Sequence, residues 1–166
     1  MSISMYTASV TVFSRMLTNL LAIMEKAEAN AVERKFKADV LVTQRLAPDM
    51  LPLSSQIQIA TDAAKGAVAR LSGREIPSWP DNETTFGDLK ARVKKAIDYL
   101  ATFKPNDLDG TENKQVVIKI AGEDVPLRGE DYLVGRAMQN FYFHVTTAYA
   151  ILRHNGVPIG KRDYLG

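Results

Sequence analysis

Asn140 and His144 lie four residues apart in the stretch MQNFYFHVTTAY, and helical spacing sets two such side chains next to each other, one turn apart. An amide and an imidazole so placed have three uses. They can coordinate a metal, bind a ligand with His144 as general base or donor, or form a hydrogen-bonded pair inside the core. A second polar group, Gln56, Gln58, Thr61 and Asp62, falls on or beside the core face of a helix expected at residues 52–71. For a buried His144, Gln58, Asp62, Tyr142 and Tyr149 are the partners expected to satisfy the ring. The other histidine, His154, falls at the end of the same helix as His144 and is expected at the surface.

Other chemistries are absent from the sequence. There is no cysteine, which removes disulfides, thiolate nucleophiles and cysteine-ligated zinc together. No serine stands in a G-x-S-x-G context, and neither a glycine-rich phosphate loop nor H-E-x-x-H occurs. Asp81 and Glu83 follow the only tryptophan, Trp79, in a loop, where capping and solvation account for them.

Positioning Asn140 and His144 requires a long helix from Gly129 to Gly156, whose apolar seam is Val134, Met138, Phe141, Val145, Ala148 and Leu152. A first helix, capped by Ser2 or Ser4 and running to about Lys26, carries a matching seam of Ile3, Tyr6, Val10, Phe13, Leu17, Leu20 and Met24. A short helix around Ala38 to Gln44 sits in the connection to the second helix, which runs from Pro52 to Leu71 and stops at Gly73. Its middle, IATDAAKGAVA, is small enough for close helix packing or for a small ligand. A third helix, capped by Thr85 with Asp88, extends to about Phe103. Before the last helix the apolar period changes from helical to alternating in QVVIKI, and VPL follows a turn at AGED, which predicts a short hairpin. These elements predict an all-α four-helix bundle with a crossover between helices two and three and a β-hairpin between helices three and four.

Composition limits the function classes. A chain of 166 residues with 46% apolar and 24% charged residues reads as one globular domain, residues 1–166. Twenty-one basic against nineteen acidic residues leave too little excess charge for nucleic acid, and the basic clusters, Lys90 to Lys95 among them, read as solvated helix faces. The apolar N-terminal stretch has no basic residue ahead of it, is broken by Arg15, and lacks a small-residue cleavage site, so no signal peptide or membrane association is expected and the cytoplasm is the default location.

The segments NFYFHVTTAYAILRHNG, RLAPDM at Arg45 to Met50, and the ending NGVPIGKRDYLG resemble the DinB-like superfamily, and more closely one uncharacterised branch, a family of unknown function numbered nineteen-ninety-three. The resemblance to the branch spans nearly the whole chain. Metal-binding members of the superfamily carry H-x-x-x-H on helix four, an Arg nine residues further on, and a third His on helix two. Aligning that Arg with Arg153 puts the second His on His144 and the first on Asn140, so this chain reads N-x-x-x-H. On helix two the matching candidates are Gln58 and Asp62, with Gln56 further off. One imidazole of three survives, which disfavours a divalent metal, because catalytic zinc sites need three His or carboxylate ligands and amide carbonyls bind such ions weakly.

Two functions follow as expectations. The first is a small-molecule-binding or transferase-like DinB-like protein with a degenerate metal site, in which His144 is the catalytic or metal-ligating residue and Asn140, Gln58 and Asp62 bind ligand. Some relatives use their metal to activate a low-molecular-weight thiol. The second is a non-catalytic homodimeric interaction module, argued from the matched seams and from a hairpin needing a surface to cover it.

Overall fold

The structure is a computed structural model and describes residues 3–166; Ser2, one of the two expected caps of the first helix, lies outside them. Among the described residues, four long helical segments and a two-stranded antiparallel sheet surround one apolar core.

Helix α1, Val12–Glu33, continues directly from a π-helical turn, Thr7–Thr11. Val10, Phe13, Leu17, Leu20 and Met24 are buried as their seam requires, whereas Ile3 precedes the helix and is exposed. The helix passes its expected end at Lys26 because Ala27, Asn30 and Ala31 continue the buried face. It is the one stretch among the described residues long and apolar enough to cross a membrane, but its apolar side is packed against helices from later in the chain. A 3-10 turn, Ala38–Leu41, replaces the short helix expected there.

Helix α2, Leu53–Ser72, ends where Gly73 adopts φ +83°, a conformation that favours glycine. Ala60, Ala64 and Ala67 are fully buried, and these small side chains let two later helices pack against α2. Helix α3, Phe86–Leu100, starts with the expected capping box: the Asp88 amide donates to Thr85 Oγ1 at 3.1 Å and the Thr85 amide to Asp88 Oδ2 at 2.9 Å. A short helix α4, Pro105–Leu108, leads to strands β1, Gln115–Ile120, and β2, Glu123–Arg128. Their two-residue turn has positive φ at Ala121 and Gly122, the backbone of a tight hairpin. Val116 is buried, and Ile118 and Leu127 pack on the core.

The last long helix occupies residues 129–154 as α5, Gly129–Tyr132, a π-helical turn, Leu133–Ala137, and α6, Met138–His154. The π turn takes up one more residue than an α turn and rotates the face that follows. Tyr132, Leu133 and Ala137 are therefore buried, while Val134, expected in the seam, is 55% exposed. Val145, Ala148 and Leu152 keep their expected places. Val157 and Ile159 anchor the return toward α7, Lys161–Leu165, where the Asn19 amide donates to the Tyr164 carbonyl at 3.0 Å.

Candidate functional site

The imidazole of His144 is 9% exposed, and its Nδ1 lies 2.7 Å from Gln56 Oε1. Gln56 is 1% exposed and donates its Nε2 to the Leu51 carbonyl at 2.9 Å, which turns its oxygen toward the ring. Only an Nδ1–H imidazole completes that arrangement, so neutral His144 keeps its lone pair on Nε2. Burial lowers the His144 pKa, and the neutral form is favoured. The partner is thus Gln56, the glutamine set furthest off in the sequence comparison. The four expected partners are elsewhere or otherwise engaged.

Gln58 donates its Nε2 to Glu83 Oε2 at 2.9 Å. Asp62 pairs with Lys65 at 2.7 Å and with Arg92 at 3.1 Å. Both belong to a cluster built around Arg92, which is 3% exposed although its segment reads as a solvated face. Arg92 Nε donates to Thr61 Oγ1 at 2.9 Å, and Nη1 donates to Glu83 Oε1 at 2.9 Å and to the Pro80 carbonyl at 3.2 Å. Nη2 is held between Asp81, at 2.9 Å, and Asp62. Burial pushes the Glu83 carboxyl up, but the hydrogen bonds from Arg92 and Gln58 outweigh it and leave its pKa below the usual value. Asp81 and Glu83 therefore tie the loop after α2 to α3, beyond the capping and solvation expected of them. Trp79 closes this end: Lys65 and Lys95 stand over its ring at 4.3 and 4.7 Å, and Tyr99 meets it edge-on. The missed signal is spacing, since Arg92 falls on the seam of α3 between Leu89 and Ala96.

Asn140 is exposed and contributes to a different feature, a cleft of about 420 Å³ where α2 faces the π turn. Ala63, Arg70, Ile118, Tyr132, Arg136 and Asn140 line it, with Gly135, Ala137 and Gln139. Arg70 Nη1 donates to the Tyr132 hydroxyl at 3.3 Å. Burial raises the Tyr132 pKa despite the nearby Arg70 charge, so the phenol keeps its proton. Arg153 and His154, at the end of α6, are exposed.

Residues 5–165 match the family described as Domain of unknown function (DUF1993). A crystal structure of a DinB family member protein from Shewanella denitrificans is 44% identical, with a TM-score of 0.91 over 97% of this chain and 91% of that one. The chain belongs to the DinB-like DUF1993 family. No curated protein matches it.

For this DinB-like protein, the metal-ligand question turns on the donor set. No group of three His, Asp or Glu side chains able to hold an ion occurs among the described residues. The three residues expected to bind ligand beside His144 are dispersed: Asn140 in the cleft, Gln58 on Glu83, and Asp62 between two cations. These residues do not fit a three-ligand zinc or nickel centre.

Proposed function

We propose that this protein is a small-molecule-binding member of the DinB-like family that does not use a divalent metal at the N-x-x-x-H position. The reading takes the four long helices as a DinB-like four-helix bundle with a crossover between α2 and α3, acting in the cytoplasm. One observation carries it: Asn140, which replaces the first histidine of the metal-binding pattern, lines an open cleft between α2 and the last helix. His144, one turn away, is held by Gln56 as a neutral imidazole, suited to accept a hydrogen bond or a proton at Nε2.

Ligand-observed NMR on a small-molecule library, run on the wild type and on Ala63→Trp, tests this reading, because an indole at Ala63 fills the cleft. Binding that disappears in Ala63→Trp is the expected result. Hits that bind both proteins equally would remove the cleft from the proposal. Stoichiometric uptake of zinc, nickel or manganese by untagged protein, abolished by His144→Ala, would overturn the metal-free part.

The homodimeric module is the other class. Apart from exposed Ile3 and Val134, the two seams pack within one chain, and the hairpin's apolar face lies on that chain's own core, so the reading draws on exposed apolar side chains, Val117, Val134 and Phe143 among them. Light scattering at micromolar concentration separates the two.

A further inference from the structure

Arg70 and Arg136 line the same cleft, and neither has an Asp or Glu within ion-pair distance among the described residues. The acids next to the π turn, Glu130 and Asp131, face Arg128, at 3.5 and 3.9 Å. Two guanidinium groups bordering one concavity repel each other, and an anion between them relieves the repulsion.

The first of these cations is held in place. A Cβ at Gly66 would stand 2.5 Å from Arg70 Nη1, so the guanidinium lies over the one glycine of α2, where any side chain would displace it. The Tyr132 hydroxyl accepts from the same Nη1 and is free to donate its own proton. The π turn carries Arg136, and one helical turn later Asn140 adds an amide donor. Apolar contact is available from Ala63, Ile118 and Ala137.

Resting on the cleft reading above, we propose that the cleft binds a small organic oxyanion, its carboxylate or phosphate held between Arg70 and Arg136 with Tyr132 and Asn140 donating, and its apolar part against Ala63 and Ile118. Guanidinium groups recognise both oxyanions through paired hydrogen bonds, and the probes separate the two.

The experiment titrates the full chain with benzoate, phenyl phosphate, inorganic phosphate and neutral benzamide, following amide shifts by NMR at low and high salt. Benzoate or phenyl phosphate is expected to bind at least tenfold more tightly than benzamide, to weaken as salt rises, and to lose about tenfold or more in Arg70→Met and in Arg136→Met. Whichever aromatic anion binds better identifies the headgroup. Gly66→Ala is the second variant: its new methyl meets only the Arg70 side chain, so the fold is kept and affinity is expected to fall. Benzamide binding as well as the anions, with loss only in Ala63→Trp, would overturn the oxyanion while leaving the cleft as a ligand site. Absence of binding by every anion at millimolar concentration, or affinities unchanged in both arginine variants, would overturn the proposal itself.

Discussion

Arg92 and the pair Arg70 and Arg136 are three arginines within one fold, and their surroundings are opposite. Arg92 is buried among Asp62, Asp81 and Glu83, its guanidinium ion-paired with these carboxylates and donating to Glu83, a hydroxyl and a carbonyl. Arg70 and Arg136 border an open cleft with no acid against them among the described residues. Removing a guanidinium from water without partners costs several kcal/mol, so a buried arginine survives only inside a compensating cage, and such a cage is structural. An arginine at the rim of an open cleft has no such requirement and stays available to a ligand. His144 falls on the structural side, its ring 9% exposed and its Nδ1 held by Gln56.

The most severe way to break the contrast is Arg92→Met. With the cation gone, Asp81 and Glu83 lose their cationic partner and Asp62 keeps only Lys65, and a loss of about 3–5 kcal/mol is expected, read as a fall of roughly 10 °C in Tm. An effect as small as that of a surface arginine would make the cluster a solvated network. Gln56→Leu comes next. It leaves the buried Nδ1–H without an acceptor, for about 1–3 kcal/mol in urea denaturation, and an unchanged midpoint would show that water replaces the amide.

Acid should act on the same two places. Because the folded state lowers the His144 pKa, its stabilising effect is complete above the ordinary histidine value near 6.5 and is lost as pH falls below it toward the folded value. Glu83, also lowered, loses its contribution further down, below the ordinary glutamate range. Denaturation midpoints from pH 7 down to about pH 2 should therefore decline in two stages in the wild type, and the upper stage should be absent in His144→Gln.

Gly66→Ala sharpens the contrast from the other side. Alanine in a helix interior is worth about 0.5–1 kcal/mol over glycine, so thermal stability should rise while anion binding weakens. The smallest effect on stability is expected for Arg70→Met and Arg136→Met, each within about 0.5 kcal/mol of wild type. A large loss in either would move that arginine into the structural class.

Much of this was legible along the chain. The α2 stop at Gly73, the Thr85–Asp88 capping box and the β1–β2 hairpin follow from spacing and backbone chemistry, because each is decided by neighbours a few residues apart. The seam of the last helix was legible only from Phe141 onward. The π turn before it shifts the face by an amount that a fixed period does not contain, and Val134 is outside in consequence.

The site was less legible. His144 could be picked out by its type and its place beside an apolar seam, but its partner could not, since Gln56, Gln58 and Asp62 offer similar chemistry within two turns of α2. The choice depends on how α2 is rotated against α6, and that is settled by packing of the whole alanine-rich face. The burial of Arg92 likewise requires acids from α2 and from the loop beyond it to converge on α3. By itself, then, the sequence determined the long helices, the hairpin and the family. Tertiary structure decided which polar groups meet, because pairing energies depend on distances of a few ångströms between segments far apart in the chain, and no local periodicity encodes them.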